Sequence, residues 1–212
     1  MTVLEEVLAS GVCAVMRKLP PEKTNDIAGA LVAGGVKGLE VTLDSEQPFE
    51  VIKRLRQTYG DQAVVGAGTV LTAKQAEEAI EAGAQFIFAP ILVQETIKAA
   101  KAKGIPVIPG VFTPTEAYQA TEWGADLVKV FPAECVGPSF IKSVKGPLSH
   151  IGIMPTGGVD LDTIPAFIKA GASAVGAGGA LLKKDLIEAN DWDGLTSLAQ
   201  AFVDKVAEAR EK

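Results

Sequence analysis

The stretch "VMRKLPPEK", Val15–Lys23, follows the first apolar run of the chain and contains no glycine. That absence bears on the fold. An open doubly wound sheet usually marks its ligand site with one glycine-rich turn after its first strand. Here the turn carries Arg17, two lysines and two prolines instead.

Outward from this turn, apolar runs recur with helical segments between them. Strands are expected at "GVCAVMR" (11–17), "VKGLEVT" (36–42), "QAVVGAGT" (62–69), "FIFAP" (86–90) and "IPVIPG" (105–110). The series continues with "DLVKVFP" (126–132), "IGIMPTGG" (151–158) and "SAVGAGG" (173–179). Amphipathic stretches such as "TNDIAGALVAG", "QPFEVIKRLRQTYG", "TAKQAEEAIEAG" and "VQETIKAAKAKG" separate them. Several begin after Thr, Ser or Asp and end in glycine, the residues that suit helix caps. The tail "DWDGLTSLAQAFVDKVAEAR" reads as a closing helix. About eight strand–helix beats in this length predict an α/β protein, a (β/α)₈ TIM barrel at the small end of its range. No linker interrupts the pattern, so residues 1–212 are read as one domain.

Composition excludes several function classes. The formal net charge is −6 and no lysine or arginine run occurs, which argues against nucleic acid or an anionic membrane as partner. The N-terminal "MTVLEEVLAS" holds acids and no basic segment, unlike a secretory signal. The longest apolar run, "FIFAPILV", is far shorter than the roughly 20 residues that span a bilayer. Cys13 and Cys135 form no CxxC pair and read as free thiols in a reducing cytoplasm. His150 is the sole histidine and reads as a solvated loop residue, so histidine-rich zinc sites are excluded.

Barrel active sites are built at the C-terminal ends of the strands. Polar or unusual residues fall there: Arg17, Glu40, Thr42, Thr69, Pro90, Lys129, Thr156 and the glycines that follow. Side chains alternate along a strand. In "DLVKVFPAE" (126–134), Lys129 shares a face with Leu127 and Phe131, and in "GLEVT" Glu40 shares one with Gly38 and Thr42. The aliphatic faces should meet the helices, which sends Lys129 and Glu40 into the barrel. A buried ion pair without chemistry is one reading, although desolvation makes such a pair a poor stabiliser. A lysine in an enclosed site can also give up its proton and attack a carbonyl, with a carboxylate moving protons beside it. The clusters "PTGGV" (155–159) and "GAGGA" (176–180) could be tight turns. They also stand after strands seven and eight, where barrels often bind phosphate through loop amides and a helix N-terminus.

The ordered motifs "GGVKGLEVTL", "GAGTVLT", "APILVQE", "IPGVFTPTEA", "LVKVFPAECVGPSFIKSVKGP" and "MPTGGVDLDT" closely resemble the KDPG/KHG aldolases across nearly the whole chain. Those are Schiff-base enzymes acting on 2-keto-3-deoxy-6-phosphogluconate and 4-hydroxy-2-oxoglutarate. The resemblance implies Lys129 as the imine-forming lysine and Glu40 as acid/base. It also implies Thr69 at the pyruvyl carboxylate, Pro90 and Phe131 shaping the pocket, and Thr156, Gly157 and Gly158 along the distal, phosphate end. Gly178 and Gly179 join that end. It implies a small 2-keto acid substrate, no metal or other cofactor, a homotrimer and a cytoplasmic location.

Two positions depart from the family pattern. Many members read E-V-T-L-R-T, with an arginine that grips the substrate carboxylate; this chain has Asp44 in that place, and Arg17 is the candidate for the same task. A serine common after strand eight is replaced by Gly179, which keeps an amide and loses a hydroxyl. The galacto epimer and a non-phosphorylated keto-deoxy acid are alternative substrates. From other classes, a phosphate-binding barrel isomerase or synthase and a non-catalytic sugar-phosphate binder remain as competing readings.

Overall fold

The computed structural model describes residues 1–211. Its strands are β1 (Val12–Met16), β2 (Gly38–Thr42), β3 (Val64–Gly68), β4 (Ile87–Phe88), β5 (Val107–Ile108), β6 (Gly110–Val111), β7 (Val128–Val130), β8 (Ile153–Pro155) and β9 (Val175–Ala177). All pairings are parallel: one sheet runs β5-β4-β3-β2-β1-β9 and the other β6-β7-β8. A parallel bridge between Thr156 and Gly176 joins β8 to β9. The two sheets therefore close on each other into the expected (β/α)₈ barrel.

The fifth barrel strand is not the continuous run expected over 105–110. Pro109 divides it into β5, which pairs with β4, and β6, which pairs with β7. Proline has no N–H to give a ladder, but its carbonyl accepts from the Lys129 amide at 2.8 Å. The break thus anchors the backbone of Lys129. The fourth, sixth, seventh and eighth strands are also shorter than the apolar runs suggested, pairing only over 87–88, 128–130, 153–155 and 175–177.

Outside the strands lie α2 (Thr24–Ala33), α3 (Pro48–Tyr59), α4 (Ala73–Glu81), α5 (Gln94–Ala102), α6 (Pro114–Glu122), α7 (Gly137–Lys145), α8 (Ile164–Lys169), α9 (Lys184–Ala189) and the closing α10 (Trp192–Arg210). No described helix is long and apolar enough to cross a membrane. One helix precedes the beat and was not anticipated: α1 (Val3–Ser10), started by a capping box between Thr2 and Glu5. The T-x-x-E spacing was a readable signal. Its Val7 packs with Cys13, Val64, Phe86, Leu127 and Ala174 in a cluster separate from the main core. These are inward-facing strand positions, so α1 plugs the N-terminal mouth of the barrel. The Arg210 guanidinium, donating to the carbonyls of Leu8 and Ser173 at 2.8 Å each, ties α1 and the last barrel strand to α10.

The outward set forms the larger core: Val12, Ala14 and Met16 of β1, Leu39 and Val41 of β2, and Val128 and Val130 of β7 all meet the helices. The alternation expected from the sequence is therefore the alternation found.

Candidate active site

Lys129 of β7 and Glu40 of β2 meet inside the barrel, Nζ to Oε1 at 3.7 Å, with side chains 4% and 0% exposed. At that distance the contact is an ion pair rather than a hydrogen bond, and neither carboxylate oxygen has a hydrogen-bond partner among the described residues. Gly68 makes the space: a Cβ there would collide with Glu40 Oε1. Burial pushes the Glu40 carboxyl above its ordinary value of 4.5, while the charges of Lys129 and Arg17 pull it back. Lys129 Nζ also lies 5.6 Å from the Phe88 ring centroid and 5.1 Å from that of Phe131, so two aromatic rings wall the amine. Beneath the pair, burial and then the Glu40 charge drive the Cys13 thiol well above its ordinary range, so it stays protonated.

On one side of the pair, Arg17 Nη2 donates to Thr69 Oγ1 at 2.9 Å and Nη1 meets Asp44 Oδ2 at 3.3 Å. The sequence singled out Arg17 and Thr69 separately, and the structure joins them. On the other side, the Thr156 hydroxyl is buried without a partner among the described residues. It stands against Gly176, where a Cβ would strike it. Gly157 and Gly158 have φ of 92° and 70°, a left-handed pair that glycine takes without penalty. Their loop is fastened to the "FPAE" turn by bonds from the Ala133 amide to the Thr156 carbonyl and from the Glu134 amide to the Gly157 carbonyl.

A cavity of about 990 Å³ opens over this floor. Of the expected residues, Arg17, Lys129, Phe131, Thr156, Gly157, Gly158, Gly178 and Gly179 line it. Glu40 lies buried beside Lys129, and Thr69 is reached through Arg17. Pro90 is off the cavity wall, its carbonyl packed against Gly110. Sequence reasoning missed the far wall, made by Lys18, Leu19 and Pro20 after β1 and by Lys184, Ile187 and Glu188 of α9. Lys23 Nζ, bonded to the Ile187 carbonyl at 2.8 Å, ties these two segments together. The cations in "RKLPPEK" were visible, but nothing local revealed that α9 comes to face them.

A closed parallel barrel with an enclosed lysine and carboxylate under a glycine-lined cavity defines a class. Its inner wall can run amine–carbonyl chemistry under the control of one acid. A family model described as "Aldolase: KDPG and KHG aldolase" matches residues 4–198. The KHG/KDPG aldolase of Escherichia coli (strain K12) is 37% identical over 207 residues, covering 96% of each chain. The 2-dehydro-3-deoxy-6-phosphogalactonate aldolase of the same organism is 36% identical over 171 residues, 80% of this chain and 83% of that one. A crystal structure of the KDPG aldolase from Legionella pneumophila, with pyruvate captured as a covalent carbinolamine, superposes with a TM-score of 0.84 at 30% identity, covering 92% of this chain and 96% of that one. The chain belongs to the KDPG and KHG aldolase family.

Proposed function

We propose that the protein is a class I aldolase that reversibly cleaves 2-keto-3-deoxy-6-phosphogluconate to pyruvate and glyceraldehyde 3-phosphate. Cleavage of 4-hydroxy-2-oxoglutarate to pyruvate and glyoxylate would use the same steps. The observation that carries the reading is the enclosed Lys129–Glu40 pair, 3.7 Å apart at the foot of the cavity. The Lys129 amine attacks the C2 ketone to give a carbinolamine, and Glu40 supplies the proton with which water leaves. The resulting iminium accepts the electron pair of the C3–C4 bond as that bond breaks. Glu40 takes the proton of the C4 hydroxyl, and the aldehyde departs. Protonation of the enamine at C3 and hydrolysis of the imine then release pyruvate and restore the amine. A carboxyl whose proton affinity is raised by burial suits both the giving and the taking.

In this reading Arg17 and Thr69 hold the pyruvyl carboxylate. The Thr69 hydroxyl accepts from Arg17 and still has its own hydrogen to donate. Phe131 and Thr156 border the reacting carbons, Pro90 shapes the pocket from behind, and the amides around Gly157, Gly158, Gly178 and Gly179 receive the distal group. Lys129, Glu40 and the substrate carry the chemistry, with no metal or other cofactor. The similar identities to the gluco- and galactonate enzymes leave the galacto epimer as the second substrate to compare.

A homotrimer accompanies this proposal. Leu71, Ile91, Phe112 and Tyr118 are 41–47% exposed on neighbouring segments after β3, β4 and β6 and on α6, an apolar strip suited to a second copy. Light scattering should give three times the chain mass. A cytoplasmic location is proposed with it, in keeping with Cys13 and Cys135 as free thiols.

Borohydride added with pyruvate should inactivate the protein and leave a pyruvyl adduct on Lys129 by peptide mass spectrometry, and EDTA should leave activity intact. An adduct on a different lysine, or activity lost to the chelator, overturns the assignment. Turnover persisting in Lys129→Met without any imine would instead favour a phosphate-binding isomerase or synthase.

A further inference from the structure

We propose that Asp44 is a positioning residue that, together with Thr69, fixes the Arg17 guanidinium over the lysine–glutamate pair in the orientation that receives a substrate carboxylate. The inference rests on the aldolase reading above and goes beyond it to the residue that sets the carboxylate subsite.

Arg17 directly follows β1, where its side chain is 46% exposed and would sweep many rotamers if untethered. Two of its donors are committed: Nη1 to Asp44 at 3.3 Å and Nη2 to Thr69 at 2.9 Å. The remaining N–H groups of the fork are enough for a two-pronged grip on a carboxylate. Both tethers come from prepared backbone. Thr69 has φ of 57°, a left-handed conformation that is an outlier for a β-branched residue and marks a site where the chain holds strain for a purpose. Asp44 sits between two anchored neighbours. The Leu43 amide donates to the Gly68 carbonyl at 2.8 Å. Ser45 Oγ accepts from the Lys18 amide at 2.8 Å and lies 2.9 Å from Thr42 Oγ1.

Charge accounting points the same way. Arg17, Asp44 and Lys18, whose Nζ is 3.9 Å from Asp44, leave one net positive charge for the single carboxylate of the pyruvyl unit. An ion pair with partners 46% and 30% exposed contributes little to stability. A carboxylate beside an anion subsite would also repel the ligand. It is useful there only if orienting Arg17 gains more than the repulsion loses.

The test is borohydride trapping by pyruvate and by acetone, a ketone with no carboxylate, in wild type, Asp44→Asn, Arg17→Ala and the double variant. Asp44→Asn should raise the pyruvate concentration for half-maximal trapping about tenfold, the coupling expected of neighbours that share a partner. The maximal trapping rate should change less than about threefold, and acetone trapping should match wild type. In the Arg17→Ala background the asparagine should add nothing, and Asp44→Glu should recover part of the loss. Unchanged or tighter pyruvate trapping in Asp44→Asn would overturn the proposal, since Asp44 would then only attenuate the Arg17 charge. Equal losses with pyruvate and acetone, or a further loss in the Arg17→Ala background, would overturn it as well. No pyruvate adduct in wild type would remove the aldolase reading itself, a distinct outcome.

Discussion

Toward the N-terminal end of the barrel the inward positions carry Cys13, Val64, Phe86, Leu127 and Ala174, capped by Val7 of α1. Toward the C-terminal end the strands and the residues just beyond them turn Arg17, Thr42, Lys129, Phe131 and Thr156 inward or into the cavity. On β7 and β2 two residues separate one region from the other, Leu127 preceding Lys129 and Gly38 preceding Glu40, while on the first strand Cys13 lies four residues before Arg17. Within the strands the backbone treats both regions alike, so there the difference lies in the side chains, and the left-handed backbone at Thr69, Gly157 and Gly158 belongs to the loops beyond the C-terminal ends. The apolar floor excludes water from beneath, and that is why the Glu40 carboxyl holds its proton more tightly than a solvated one. The polar layer draws its chemistry from a floor that does none.

The largest test of this division is Lys129→Met. Activity should fall at least about 10⁴-fold, as for other covalent residues, with no trapped adduct and an unchanged circular dichroism spectrum. Loss of the fold instead would mean that the polar layer is also structural.

Glu40→Gln comes next, with a loss of about 10²–10⁴-fold in kcat. The pH profile sharpens the point. Because burial raises the Glu40 pKa, the acidic limb of kcat/KM in wild type should lie above the ordinary carboxylate value of 4.5, and the glutamine variant should lack it. Stability carries the same sign. Between 4.5 and the raised value the folded state holds a proton that the unfolded chain has released, so wild type should lose stability as pH rises through that window. Urea midpoints of the two proteins across that range would check it.

In the floor, Phe86→Ala should cost about 3–5 kcal/mol in urea unfolding by opening a cavity. Phe86 packs on Phe88 with centroids 5.1 Å apart and fills the space left by Gly66. Its kcat should change less than about tenfold at a temperature where the variant is folded. A loss as deep as that of Glu40→Gln would break the division between the two layers.

The smallest effect is expected at the distal end. Nothing lies within 4 Å of a Cβ built at Gly179, and its φ is outside the left-handed range. Gly179→Ser should therefore be accommodated and add a hydroxyl donor. KM for a phosphorylated substrate should fall about three- to tenfold relative to its non-phosphorylated counterpart, the worth of one added hydrogen bond. A panel of both substrates and the galacto epimer would measure it.

Much of the upper layer was legible because alternation is a local rule. Reading Lys129 against Leu127 and Phe131, and Glu40 against Gly38, required only a period of two. Asp44 was visible as a departure, yet its bond to Arg17 joins residues 27 apart in sequence, and no local signal fixes such a pair. The wall formed by α9 was hidden for the same reason. Helix α1 had its capping box in plain view, but it lay outside the strand–helix rhythm on which the fold was read.

The sequence by itself determined the parallel α/β rhythm, the faces of each strand and the residue types available at the strand ends, since propensity and alternation act between near neighbours. Only the tertiary structure decided that Pro109 would split the fifth strand, that α1 would close the floor, that Lys129 would stand 3.7 Å from Glu40, and that Asp44 would face Arg17. Those are consequences of closing the barrel. Closure fixes the stagger of every strand against all the others, and no single stretch of chain contains that information.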